Sequence, residues 1–239
     1  MSHRAPDPPS ELGMRDGLAY ACFLPSGPPQ GRVVIVHGAD SQKENHYPFA
    51  RACRGAGLAA VAFDLRGHGA SEGALDDHVL EDIAAIAAIA TGPAPLALRG
   101  SSLGGYLALL AGPRLGAQAV AAICPAAPSD LARALRGEHF DFRADLPALT
   151  RFLSDHDDLA AAREFEGGLL VLHAEGDQQV PIEHSRQLVD EAGAARSRRL
   201  IAMPGGHHRS IQRDEELAGV VVRWLARALS GPQARAAGR

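Results

Sequence analysis

The chain has 239 residues, which is enough for one large domain with a sizeable core. Apolar residues make up 46% of it and charged residues 22%, as in ordinary globular proteins. The formal net charge of −4 gives no basic surface for nucleic acid or for an anionic membrane. No apolar run reaches the roughly 18 residues of a membrane span. We therefore expect neither a nucleic-acid nor a membrane partner.

The cysteines indicate a reducing compartment. Cys22, Cys53 and Cys124 are far apart, odd in number and close to apolar segments, which predicts buried free thiols. Residues 1–11 are polar and proline-rich and lack the apolar core of a signal peptide, so we expect a cytoplasmic protein. The sequence has neither an H-E-x-x-H nor a C-x-x-C motif, and we expect no metal and no cofactor. The oligomeric state stays open.

In chain order, strands alternate with helices. Residues 11–23 hold Asp16-Gly17 between two short segments, which predicts a hairpin. Apolar runs predict further strands at 32–37, 58–64, 95–99, 119–124, 168–174 and 198–203. Helical patterns cover 47–56, 77–90, 103–110, 181–192 and 211–229. This alternation predicts an α/β fold, a mostly parallel sheet with helices on both faces and a ligand site beyond the carboxyl ends of the strands.

Residues 125–167 interrupt this rhythm with short helices and no strand. We expect a single domain over residues 1–239 with a small helical cap inserted at 125–167. Its phenylalanines, Phe140, Phe142 and Phe152, are candidates for lining an acyl pocket, because a connection this long within a compact domain is usually functional. The alternative interpretation is that these rings only form the small core of the cap.

The most specific local pattern is G-x-S-x-G, formed by Gly100, Ser102 and Gly104 between an apolar strand and an apolar helix. A serine at a sharp strand-to-helix corner has a strained backbone and an exposed hydroxyl. The residues two before and two after it crowd each other and must be small. Ser102 meets this demand, whereas Ser101 has larger residues at the same offsets.

A serine hydroxyl needs a base within hydrogen-bond reach and a carboxylate to orient that base. Asp177 follows one predicted strand, and the adjacent His207 and His208 follow the last one. The chain order of serine, aspartate and histidine is that of one particular catalytic triad. His37 and His68 lie in turns after earlier strands, and we interpret both as structural residues.

From about residue 11 to 229 the chain resembles the α/β-hydrolase superfamily. The matching motifs are His37-Gly38-Ala39, Asp64-Leu-Arg-Gly-His-Gly-Ala-Ser71, Gly100-Ser-Ser-Leu-Gly104, Gly176-Asp177-Gln-Gln-Val-Pro181 and the glycine–histidine turn at 204–208. The small size and modest insertion resemble bacterial carboxylesterases, feruloyl or cinnamoyl esterases and monoacylglycerol lipases. The resemblance implies an α/β-hydrolase fold.

The same resemblance implies that Ser102 is the nucleophile and Asp177 the acid, with an oxyanion hole formed by the backbone N–H groups of Ala39 and Leu103. Family members commonly place the catalytic histidine four residues after a proline that ends the last strand. Counting from Pro204 favours His208. His207 is the alternative, since the two glycines before it could let the loop slip by one residue.

Hydrolysis of a small-molecule carboxylic ester is the function we expect. A thioesterase or a peptidase would use the same machinery, because a fold does not choose its substrate. A non-catalytic ligand-binding protein is the alternative from another class, and such a relative would be expected to lack a triad residue. Dehalogenase and epoxide hydrolase activities are disfavoured, because relatives with them have aspartate where Ser102 stands.

Overall fold

The computed structural model describes residues 6–89, 92–137 and 141–230. Its sheet has eight strands in the order β1-β2-β4-β3-β5-β6-β7-β8. The strands are β1 Glu11–Arg15, β2 Leu18–Phe23, β3 Gly31–Val36, β4 Leu58–Phe63, β5 Leu96–Ser101, β6 Ala119–Ile123, β7 Gly168–Ala174 and β8 Ser197–Met203. The six strands from β3 to β8 pair in parallel, while β1 and β2 are antiparallel to their neighbours. This is the α/β-hydrolase arrangement that the sequence predicts.

The first hairpin forms where the sequence predicts it. Arg15 pairs with Leu18, so Asp16 and Gly17 alone make the turn. Both turn residues have positive φ, at 52° and 81°, which matches the right-handed twist of the flanking strands.

Helices cover both faces of the sheet and define two apolar layers. They are α1 Tyr47–Gly55, α2 Val79–Ala87, α3 Leu103–Arg114, α4 Pro128–Arg136, α5 Leu146–Asp155, α6 Asp158–Glu164, α7 Ile182–Glu191, α8 His208–Arg213 and α9 Glu215–Leu229. Val34 and Val36 of β3 face the layer of α2 to α7, whereas Val33 and Ile35 face the layer of α1, α8 and α9. The alternation along a strand thus supplies both cores at once.

The described residues of the insertion form α4, α5 and α6, which are short helices, and no strand. Among the contacts that hold it to the body of the protein are two hydrogen bonds. Tyr106 of α3 donates from its hydroxyl to the carbonyl of His156 at 2.9 Å. The segment before α5 pairs with the loop after β4, where the Leu75 N–H donates to the Arg143 carbonyl at 2.9 Å.

The C-terminal helical region differs from the single helix expected over 211–229. The chain forms the short helix α8 first, and α9 begins only at Glu215. Asp214 causes the break, because its backbone is extended and its side chain accepts a hydrogen bond from the Leu217 N–H at 3.0 Å. This is an N-cap, which starts a new helix rather than continuing the old one.

No helix in the described ranges is both long enough and apolar enough to cross a membrane.

Candidate active site

Ser102 occupies the corner between β5 and α3. Its φ and ψ are 55° and −121°, a conformation that non-glycine residues rarely adopt. A Cβ on Gly100 would lie 1.9 Å from the Gly104 carbonyl oxygen, and one on Gly104 would lie 2.2 Å from the Val36 carbonyl oxygen. Both positions therefore require glycine. Ser101 is fully buried, and its hydroxyl has no hydrogen-bond partner in the described part of the chain.

Asp177 lies in the turn after β7 and is held by the turn itself. Its Oδ1 accepts from the N–H groups of Gln179 and Val180 at 2.9 and 3.0 Å. Its Oδ2 lies 2.6 Å from Nδ1 of His208. Burial raises the pKa of Asp177, but the bonds from His208, Val180 and Gln179 outweigh burial and hold this pKa below the ordinary carboxyl value. The carboxylate is thus ionised and fixed in orientation.

The structure brings His208, and not His207, to Asp177. His208 is 7% exposed and is the first residue of α8. His207 is exposed and precedes the helix as its N-cap, where its N–H donates to the Ser210 hydroxyl at 2.9 Å. Because Nδ1 of His208 carries the proton that is donated to Asp177, Nε2 is the ring nitrogen that can accept a proton.

Ser102 and His208 line the same small cavity, of about 80 Å³. The hydrogen bonds of the described residues do not include one between the Ser102 hydroxyl and the His208 ring. Such bonds are often long without substrate and tighten when substrate binds. Gly38, Ala39 and Gln179 also line this cavity, so the loops after β3, β5, β7 and β8 all meet there.

Two backbone N–H groups are available beside Ser102. Leu103 is the first residue of α3, where N–H groups have no partner within the helix and the helix dipole is positive. Ala39 lies in the loop after β3 and lines the cavity. Neither N–H donates to another backbone group in the described part of the chain. An oxyanion forming on a substrate carbonyl would find donors here.

His37 orients the peptide that bears the Ala39 N–H. The Leu65 N–H donates to Nε2 of His37 at 2.9 Å, so the ring proton is on Nδ1, which donates to the Gly38 carbonyl at 2.7 Å. The Gly38 carbonyl and the Ala39 N–H belong to one peptide unit and point in opposite directions. Burial, and then the neighbouring His68, lower the pKa of His37 to about 4, so this ring is neutral at pH 7.

His68 holds the same loop from its other side. Its Nε2 is 3.0 Å from the Ala39 carbonyl and its Nδ1 is 2.9 Å from the Arg66 carbonyl. Burial lowers the pKa of His68, although these two carbonyls act against that change. Phe142 of the inserted segment stacks on the ring with centroids 4.2 Å apart. Phe142, a residue of the cap, therefore contacts the histidine that holds the loop of Ala39.

Sequence reasoning missed an ion pair that anchors this loop. Nζ of Lys43 lies 2.7 Å from Oδ2 of Asp64, which is fully buried, and the Lys43 N–H donates to Oδ1 at 2.7 Å. A Cβ on Gly69 would lie 2.2 Å from the same carboxylate. The signal available in the sequence was the single lysine of the chain together with an aspartate that directly follows an apolar strand.

The predicted cap residues occupy different places. Phe152 is 2% exposed and belongs to the apolar layer of α2 to α7, where its ring stacks on His156. Phe142 is half-buried beside His68. Neither is among the residues that line the cavity at Ser102. Phe140 lies outside the described residues.

Among the described residues, one buried cluster has the composition of a metal site. Ligand atoms of Cys124, Asp177 and His208 lie within 4.8 Å of one another. Asp177 and His208 already bond to each other, and burial raises the pKa of the Cys124 thiol to about 12, which disfavours the thiolate that a metal binds. The arrangement fits a hydrogen-bonded pair beside a buried thiol. The other such group, at Asp76, Asp77 and His78, lies on the surface.

Comparison with known proteins gives concordant results. The sequence pattern of the family described as "Serine aminopeptidase, S33" matches residues 27–153, more than half of the chain. A monoacylglycerol lipase from Mycolicibacterium smegmatis is 27% identical over 83% of this chain and 88% of its own length.

Similar solved structures share the fold. Est1E from Butyrivibrio proteoclasticus, solved with ferulic acid bound, superposes with a TM-score of 0.71 at 19% identity, over 91% of this chain and 97% of its own. A monoacylglycerol lipase from Paleococcus ferrophilus gives 0.66 at 19% identity, over 91% and 99%.

Proposed function

The chain belongs to the family described as serine aminopeptidase, S33, and is a hydrolase; we propose that it cleaves carboxylic esters through an acyl-enzyme. One observation supports this proposal more than any other. His208, bonded to the ionised Asp177 at 2.6 Å, shares its cavity with the strained, half-buried Ser102. A non-catalytic binding protein would not need Ser102, Asp177 and His208 in this arrangement.

In the proposed reaction, Nε2 of His208 takes the proton of the Ser102 hydroxyl as that oxygen attacks the ester carbonyl. Asp177 holds the ring and stabilises the imidazolium that forms. The N–H groups of Ala39 and Leu103 receive the oxyanion, each contributing about 3 kcal/mol as such donors do in related chemistry. His208 then gives its proton to the leaving alcohol. In the second half of the reaction, His208 takes a proton from the water that attacks the acyl-enzyme and returns it to the Ser102 oxygen as the carboxylic acid leaves.

The relatives support an ester as substrate. The Mycolicibacterium smegmatis relative is named for lipase activity, and the similar structures include an esterase with ferulic acid bound. The family's description favours a peptidase as the second candidate. Hydrolysis of p-nitrophenyl esters against aminoacyl p-nitroanilides separates the two, because the acyl part can be matched and only the leaving group differs. Thioesters of matched acyl length test the thioesterase alternative.

We propose that the acyl chain runs toward the cap. Phe142 supports this direction, because it is half-buried and stacked on the histidine that holds Ala39. The deep burial of Phe152 is equally compatible with the alternative, in which this ring only packs the cap. The role of Phe140 stays a prediction from the sequence. A cytoplasmic location also stays a prediction; it is supported by Cys22, Cys53 and Cys124, which are free thiols, as is usual in a reducing compartment.

Fluorophosphonate labelling tests the nucleophile. Ser102→Ala should abolish labelling and reduce ester hydrolysis to near background, since it removes the attacking oxygen. Ser101→Ala is the matched control, since it removes a neighbouring hydroxyl that is buried and has no partner among the described residues, and it should keep most of the activity. Loss of labelling in Ser101→Ala with retention in Ser102→Ala would refute the assignment.

A further inference from the structure

A second and larger cavity adjoins the one at Ser102. It has a volume of about 570 Å³ and lies between the start of α1 and the junction of α8 with α9. Gln212 lines both cavities, so a single side chain lies between them. A second link is the 3.4 Å contact between the Ser41 hydroxyl of the small cavity and Nε2 of His46 in the large one. We call the larger space the α1–α9 cavity.

The position of this cavity relative to His208 indicates which half of an ester would enter it. In the proposed reaction His208 protonates the leaving oxygen, so the alcohol portion must pass beside His208. Gln212 lies four residues after His208 in α8, one helical turn along the same face. Beyond Gln212 the lining continues with Asp214 and Glu215. The α1–α9 cavity is therefore on the side of the leaving group.

The two cavities differ in what they can hold. About 80 Å³ at Ser102 is enough for the reacting atoms, whereas about 570 Å³ lies within the range of small-molecule sites. Pro48, Phe49, Ala52 and Ala218 give the larger cavity an apolar wall. This wall suits a bulky organic group.

The polar end of the cavity has a hydrogen-bond donor, His46, whose ring proton has a defined position. Nη1 of Arg99 lies 3.0 Å from Nδ1 of His46. A guanidinium only donates, so Nδ1 accepts and the ring proton must be on Nε2. Among the described residues, this N–H makes one long contact, at 3.4 Å, to the Ser41 hydroxyl. Arg99 itself is 2% exposed and its Nε has no partner among the described residues, so a buried positive charge lies behind the His46 donor.

The rim of the cavity is acidic. Asp214 and Glu215 are both exposed there. Two carboxylates at the entrance disfavour an anionic group, and the buried Arg99 charge behind His46 disfavours a cationic one, which leaves a neutral ligand.

We propose that the α1–α9 cavity binds the alcohol portion of the ester, a bulky uncharged alcohol with an apolar body and an oxygen that accepts a hydrogen bond from His46. The assignment of the cavity to the alcohol half of the substrate rests on the proposed ester hydrolysis. The chemistry of the ligand is inferred from the cavity itself.

Two butyrate esters test it, because they share an acyl group and differ only in the alcohol: ethyl butyrate and 2-naphthylmethyl butyrate. Ala52→Trp fills the cavity from an exposed position of α1. It should lower kcat/KM for the naphthylmethyl ester at least tenfold relative to the ethyl ester. Ala194→Trp is the matched control, since Ala194 is exposed and does not line the cavity, and it should leave this ratio unchanged.

Binding of free 2-naphthylmethanol to the Ser102→Ala protein supplies a readout that needs no turnover. Ala52→Trp should weaken this binding at least tenfold, and 6-hydroxymethyl-2-naphthoate should bind less tightly than the neutral alcohol. An unchanged kcat/KM ratio together with unchanged alcohol binding would overturn the proposal. If the wild-type protein hydrolysed neither ester but Ala52→Trp abolished alcohol binding, the ester hydrolase function would fail while the cavity kept its ligand.

Discussion

His37 should make the stability of this protein depend on pH. The ring is fully buried between the Leu65 N–H and the Gly38 carbonyl, and its pKa is about 4 in the folded state against 6.5 for an ordinary histidine. Below pH 6.5 the unfolded chain takes up a proton at His37 that the folded protein refuses until about pH 4. The free energy of unfolding therefore falls as the pH falls through this window. At about 1.4 kcal/mol per pKa unit, the total loss is about 3 kcal/mol, of which about 2 kcal/mol appears by pH 5.

Urea denaturation of the wild type and of His37→Asn, from pH 8 to pH 4, measures this effect. Asparagine can accept from one backbone group and donate to another but does not titrate. The variant should be less stable at pH 7.5, and the difference between the two proteins should shrink by about 2 kcal/mol at pH 5. Other buried histidines titrate in both proteins, so the subtraction isolates His37. A difference that is the same at pH 7.5 and pH 5 would refute the reasoning.

Two further predictions concern the base and the cap. His208→Ala should lower kcat by several orders of magnitude, as removal of a triad residue does, whereas the exposed His207→Ala should have a milder effect; the reverse ranking in steady-state ester hydrolysis would move the role to His207. Phe142→Ala should shift the preferred acyl length in a p-nitrophenyl ester series more than it changes fluorophosphonate labelling. Phe152→Ala, at a 2% exposed position, should cost about 3–5 kcal/mol in urea denaturation. If Phe142→Ala lowered stability and left the chain-length preference unchanged, the Phe142 ring would only help to hold the cap together.

The features that the sequence predicts well depend on short-range geometry. The hairpin needs positive φ at Asp16 and Gly17, and the corner at Ser102 needs small residues two positions to either side. Such demands concern neighbours in the chain, so they can be read directly from the order of residues.

The features that it predicts poorly depend on burial or on one-residue register. The choice between His207 and His208 depends on how Gly205 and Gly206 turn, and both adopt positive φ, which glycine permits but does not dictate. The Lys43–Asp64 pair joins positions 21 residues apart, and its strength comes from a buried environment that the sequence does not display.

The division of the C-terminal helix lies between these cases. The apolar periodicity continues across Asp214, which favours one long helix, but an aspartate followed by Glu215 and Glu216 is also a typical helix start. Periodicity reports which residues face the core, and it is insensitive to a break of one residue between two helices on the same face. The sequence therefore contains the capping signal at Asp214, but the apolar periodicity outweighs it and favours a single helix.

The break at Asp214 separates a helix that lines the cavities from a helix that packs on the sheet. Helix α9 packs on the sheet, while α8, delimited by its N-cap His207 and by the cap of α9 at Asp214, presents His208 and Gln212 to the two cavities. Changes at Arg209 or Gln212 can alter the surroundings of the reaction without disturbing the packing of α9. Arg209 and Gln212, on either side of the buried Ile211, are therefore compact targets for directed evolution, through which related chains could acquire new substrates with little loss of stability.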